Sequence, residues 1–161
     1  MDIRDTTYCK NLFSFSSLVE YRAINMQEYA SVLEFLSSYV NIDSLRGVDV
    51  YIVNGCLLKE NKPAYALYYD GDESDCSFSI EKNSEYIVNT RVFNKPTILL
   101  SANIMEDTVL LETTLIHEFC HFLDGVSEGE AEAQKLELEY LCDIHGFSED
   151  AAFDYLHKKY F

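Results

Sequence analysis

Basic residues are scarce in this chain. Twelve lysines and arginines stand against 28 aspartates and glutamates, a formal charge of −16 over 161 residues. Nucleic acid is therefore not expected as a direct ligand, because its phosphates would be repelled. An acidic surface suits solubility and basic protein partners. Helix breakers are also few. Two prolines and six glycines argue against long linkers. The five cysteines, Cys9, Cys56, Cys76, Cys120 and Cys142, are an odd number with no C-x-x-C spacing, which points to free thiols in a reducing compartment. No apolar run approaches the roughly twenty residues that span a bilayer, so no membrane partner is expected. The opening Met1-Asp2-Ile3-Arg4-Asp5 does not resemble a signal peptide. The expected location is cytoplasmic, in a cell or for something replicating inside one.

What is present is enough apolar material for one domain. Hydrophobic residues make up 48% of the chain, and this length supports a real core. The expectation is a single domain over 1–161. Its parts are an N-terminal helical part (1–45), a sheet (46–101), a helix over 107–125 and C-terminal helices over 128–161. Leu12, Phe13, Phe15, Leu18 and Val19 suit a short helix. Met26, Tyr29, Ala30, Leu33, Leu36 and Val40 recur at helical spacing after Asn25, a fair N-cap.

The period then becomes two. Val48, Val50 and Ile52 alternate with Asp49, Tyr51 and Val53, and Asn54-Gly55 signals a hairpin with Cys56-Leu57-Leu58 as the return strand. Further strands are expected at Ala64 to Tyr69, Cys76 to Ile80, Tyr86 to Val88 and Thr97 to Leu100. Short strands without intervening helices imply a mostly antiparallel sheet, hence an α+β fold. The acidic run Asp70, Asp72, Glu73, Asp75 lacks the spacing of a calcium loop, with its glycine second rather than sixth. It reads as a solvated turn.

The informative stretch is Thr113-Thr114-Leu115-Ile116-His117-Glu118-Phe119-Cys120-His121. Residues four apart share a helix face, so His117 and His121 can reach one metal ion. Glu118, beside the first of them, can take a proton from a metal-bound water. A shuffled chain of this composition would show H-E-x-x-H roughly once in a hundred tries, so the motif needs helical context. Leu110, Leu111, Leu115, Phe119 and Phe122 supply an apolar face. Asp107 or Thr108 can cap the start, and Gly125 suits the end.

A catalytic zinc site usually has three protein ligands and one open position. No third histidine follows in the metzincin pattern, and Asp124 stands where that pattern needs glycine. Glu128, Glu130 and Glu132, at the start of the next expected helix, are the remaining candidates. Alone, each would be a solvated acid.

Strand Ile98-Leu99-Leu100, helix Leu115 to His121 and Glu130-Ala131-Glu132-Ala133-Gln134-Lys135-Leu136 together resemble the ImmA/IrrE-type metallopeptidases. These are minimal gluzincins with H-E-x-x-H followed by E-x-E-A-N-x-F-A. The resemblance covers about residues 97–141 and departs at Gln134, Leu136 and Glu137, which replace Asn, Phe and Ala. It implies a small zincin-like fold: an antiparallel-rich twisted sheet packed against the active-site helix and a following glutamate helix. It also implies Zn²⁺ held by His117, His121 and Glu130. The activity implied is peptide hydrolysis with Glu118 as general base. The implied partner is a protein or peptide substrate, with a transcriptional repressor as one candidate. Glu130 also shares a face with Ala133 and Leu141, whereas Glu132 lies with Leu136 and Tyr140. Asp124 could orient a ligand histidine, and Cys120 could line the cleft or simply fill core. His145, His157 or one of the tyrosines could stabilise an oxyanion. The rival reading is a catalytically silent zinc-binding regulatory or interaction module on the same scaffold. Glu118 argues against it, since a purely structural site needs no base.

Overall fold

A computed structural model describes residues 9–10, 20–24, 26–60, 62–69, 76–82, 85–91, 95–124 and 130–160. The architecture is mixed α and β. The strands are β1 (Cys9–Lys10), β2 (Glu20–Ala23), β3 (Asp49–Val53), β4 (Cys56–Lys59), β5 (Lys62–Ala64), β6 (Ala66–Tyr69), β7 (Cys76–Lys82), β8 (Glu85–Arg91) and β9 (Thr97–Ser101). The α-helices are α1 (Ala30–Leu36), α2 (Thr108–Asp124), α3 (Glu130–Asp143) and α4 (Glu149–Tyr160).

The strands form two sheets rather than one. The first has the order β1-β2-β3-β9-β6 and the second β5-β4-β7-β8. Most pairings are antiparallel, as expected. The exception is β3 with β9, which run parallel from Asp49 opposite Thr97 to Val53 opposite Ser101. The first sheet is covered on both faces. Val50, Ile52, Ile98 and Leu100 pack with residues of α1 and α2. Tyr51, Val53 and Leu99 pack with Leu57, Phe78 and Ile80 of the second sheet. Two covered faces explain why β9 is buried at every position and why β3 is apolar and buried from Val50 through Val53.

The expected hairpin at Asn54-Gly55 is not there. The chain does turn, but β4 pairs with β5 and β7, not with β3. Gly55 is required by close packing: a Cβ there would sit 2.4 Å from Ile80 Cγ2 and 3.0 Å from the Glu81 carbonyl oxygen. The single strand expected over Ala64 to Tyr69 breaks at Tyr65 into β5 and β6, one in each sheet. Ser101 fastens this break. Its hydroxyl accepts from the Leu57 amide (2.8 Å) and donates to the Ala64 carbonyl (2.6 Å).

The early helix is shorter than its pattern suggested. A 3-10 turn over Met26–Tyr29 leads into α1, which ends at Leu36. Tyr29 of the turn and Val32, Phe35 and Leu36 of the helix face inward, while Ala30 is exposed. The helix expected around residues 12–19, the cap at Asn25 and the acidic turn over 70–75 fall outside the described residues.

Side chains just ahead of α2 and α4 cap these two helices. The Leu110 amide donates to Asp107 Oδ1 (3.0 Å) and the Ala151 amide to Ser148 Oγ (3.1 Å), so both acid and hydroxyl act as N-caps. In α3, Ala133, Glu137, Tyr140 and Leu141 are buried, but Ala131 is exposed. In α4, Ala152 and Leu156 turn inward, while Phe153 is 63% exposed. Phe153 follows Ala152 directly, so one helical step of about 100° carries it off the core stripe. Among the described residues, no helix is long and apolar enough to cross a membrane.

Candidate metal centre and cleft

α2 is buried from Leu111 through His121. It lies between the first sheet and α3, which is why its histidines are held inside rather than in solvent. His117 and His121 are 5% and 4% exposed. Their Nε2 atoms are 3.0 Å apart. The carboxylate of Glu130, at the first residue of α3, completes the set. Its Oε2 is 3.0 Å from His117 Nε2 and its Oε1 is 3.0 Å from His121 Nε2. Among the described residues this is the one group of three or more potential metal donors found together.

The donor set suits zinc. Bonds of about 2.0–2.1 Å in a tetrahedral site put neighbouring donors about 3.3–3.4 Å apart. The three separations here need to open by only a few tenths of an ångström. Two neutral imidazoles and one carboxylate leave the fourth position open, as a catalytic site requires. Without a cation between them, two ring nitrogens and a carboxylate at this range would hold an awkward concentration of lone pairs.

Of the glutamates weighed at the start of α3, Glu130 is brought to the histidines. Glu132 is exposed and outside the group. Glu128 and the side chain of Asp124 lie outside the described residues. Cys120 is buried at 4% exposure, consistent with a core role.

Glu118 is 8% exposed and lines the same cavities as His117, His121 and Glu130. Burial pushes its carboxyl up to about 7. His117 and Lys159 oppose this, whereas the negative charges of Glu130 and Glu137 add to it. His117 is shifted up as well. Burial works against its charged form, but the hydrogen bond and charge of Glu137 outweigh it, helped by Glu118 and Glu130.

A cleft of about 440 Å³ runs along β6, with Glu118, His121 and Glu130 on one wall and Leu58 and Phe78 of the second sheet on the other. A neighbouring chamber of about 310 Å³ shares Glu118 and Glu130 and adds His117, Tyr65, Lys159 and Tyr160. β6 is an edge strand of its sheet, paired through β9. The break at Tyr65 is what lets the second sheet fold over the cleft.

Neither outlying histidine considered as an oxyanion donor reaches the cleft. His145 lies 3.5 Å from Glu112 and packs on Tyr140 and Phe147. His157 lines a separate groove between α3 and α4 with Lys135 and Phe153.

Three residues at the centre were missed from the sequence. Glu137 is fully buried behind His117, with Oε2 3.1 Å from His117 Nδ1. Lys159 Nζ donates to Glu137 Oε1 (2.6 Å) and to Thr113 Oγ1 (3.2 Å). The Tyr160 hydroxyl reaches both Glu137 oxygens (2.8 and 2.7 Å) and lies 3.0 Å from His117 Nδ1. One signal existed: Glu137 is seven residues after Glu130, two turns along the same helix face. Nothing in the local sequence places the last turn of α4 there.

Comparison of the chain with protein-family models, curated proteins and solved structures finds no match.

Proposed function

We propose that this chain is a zinc-dependent peptidase acting on an extended segment of a protein substrate. The observation that carries the reading is the convergence of His117, His121 and Glu130 at mutual distances of 3.0 Å beside the Glu118 carboxyl, in a cleft bordered by an edge strand. Zinc on those three residues would supply a Lewis acid for the scissile carbonyl and acidify the attacking water. Glu118 takes the proton from that water and returns it to the leaving amine. A substrate strand pairs with β6, which sets its scissile carbonyl beside the triangle of His117, His121 and Glu130 and leaves alternate side chains for the walls.

The zincin-like scaffold and the ImmA/IrrE relationship belong to this proposal. They rest on the H-E-x-x-H spacing and on the place of Glu130 in the following helix. A cytoplasmic setting fits the free thiols of Cys56 and Cys142. A silent zinc-binding module would have no use for a buried carboxyl beside the first ligand.

The test compares wild type with Glu118→Gln on a proteome-derived peptide mixture, after zinc content has been measured in both. Replacement keeps size and removes the basic oxygen. Wild type is expected to generate new peptide termini. The variant should keep zinc and cut at least about a hundredfold more slowly, the scale of losing a general base. Identical cleavage by both proteins, or none by zinc-loaded wild type, would refute the reading.

A further inference from the structure

The carboxylate of Glu137 faces donors on every side that the structure describes. Lys159 and Tyr160 approach from the last turn of α4, and His117 from α2. A carboxylate accepts hydrogen bonds and, when ionised, donates none. The single hydroxyl hydrogen of Tyr160 is drawn to Glu137, at 2.7 and 2.8 Å. Its oxygen then turns its lone pairs to His117 Nδ1, 3.0 Å away. The Nδ1 edge of His117 therefore meets only acceptors, which puts the ring hydrogen on Nδ1 and the lone pair on Nε2. That lone pair points at the donor triangle. His121 has no such support: its Nδ1 is buried and has no partner among the described residues.

From this we infer that Glu137 is the positioning residue of the metal centre and that Lys159 and Tyr160 are built into the fold to hold it there. The inference rests on the zinc reading of His117, His121 and Glu130, but not on peptide hydrolysis. Burying a full carboxylate is costly unless charge and hydrogen bonds compensate it. The Lys159 and Glu137 side chains are 3% and 0% exposed, so each is the other's compensation. The consequence is that α4, distant in sequence from the motif, helps to set the metal affinity.

The experiment reads zinc affinity by competition with a chromophoric chelator and, on cobalt-substituted protein, the visible absorption spectrum. Thermal unfolding of chelator-stripped protein controls for the fold. The main variant is Glu137→Gln with Lys159→Met, which removes both buried charges at nearly constant volume. It is expected to fold without metal, bind zinc about 10–100-fold more weakly and show altered cobalt bands, the usual result of losing an outer-sphere partner. Tyr160→Phe removes one oxygen and no packing and should give a smaller loss in the same direction. It decides the matter if the double variant does not fold. Glu112→Gln removes a buried carboxylate of α2 that meets Tyr140 and His145 rather than either histidine of the donor group, and should leave zinc affinity unchanged.

Zinc affinity within about twofold of wild type in the folded double variant, or in Tyr160→Phe if the double variant does not fold, would overturn the inference, since outer-sphere losses run well above that. So would an equal loss in Glu112→Gln. Wild type that binds no zinc sinks this inference together with the metal reading. Zinc bound without hydrolysis sinks only the peptidase.

Discussion

Glu130 and Glu137 stand two turns apart on one face of α3, and their surroundings are opposite. The Glu130 side chain is 55% exposed and reaches the Nε2 atoms of both histidines. The Glu137 side chain is wholly buried and reaches the Nδ1 of one. The outer acid can change its geometry, sitting at the start of its helix beside open solvent and the cleft. The inner acid is locked by a cation and a phenol. One side chain type is thus placed to serve as a ligand where water can enter and is a fixed acceptor where it cannot. Burial and donors, not residue identity, divide the two roles.

Three changes on α3 test that division. Glu130→Ala removes a direct donor and should weaken zinc binding by more than about a hundredfold, beyond the upper end of outer-sphere losses. Isothermal titration of stripped protein measures it, and a loss no larger than that of the Glu137 change would break the assignment. Glu137→Gln, the milder of the two, should fall within about 10–100-fold, with His117 still bound but less well oriented. Glu132→Ala changes an exposed acid outside the donor group and should leave zinc affinity unchanged. If Glu132→Ala is the damaging change, the register of α3 against α2 is wrong.

A fourth change asks whether the centre depends on the packing of the second sheet. Gly55→Ala forces a methyl against Ile80 and the Glu81 carbonyl. It should lower stability by roughly 1–3 kcal/mol, the range for overpacking, while the folded fraction keeps its zinc affinity. Chemical denaturation with and without zinc separates the two effects. The smallest effect belongs to Phe153→Ser, on the exposed side of α4, expected within about 0.5 kcal/mol of wild type.

How far these features were legible in the sequence depends on whether their causes are local. The helix α2 was legible because its cap at Asp107, its apolar stripe and its histidine spacing are written within one segment. The Ser148 cap of α4 is likewise a local signal, a hydroxyl directly ahead of Glu149 and Asp150 in the first turn. Strand positions could also be read, but not strand partners. Asn54-Gly55 marks a change of direction, while the partner of β4 is chosen by Phe78 and Ile80, which pack on it from more than twenty residues away. Glu130 could be named from its place after the motif. Glu137 could not, because acids in an acidic chain read as surface. It is one of the three positions where the chain departs from the resembled pattern, an acid in place of alanine. Lys159 and Tyr160 reach the centre only through the packing of α4 on α3.

The central claim is that His117, His121 and Glu130 form a zinc site. The most direct measurement is elemental analysis of the protein purified without added metal, beside His117→Ala and His121→Ala prepared in the same way. Close to one zinc per wild-type chain is expected and none retained by either variant, with both variants folded by circular dichroism. Full zinc occupancy in the two variants, or a wild type that carries no zinc and takes up none when it is supplied, would contradict it.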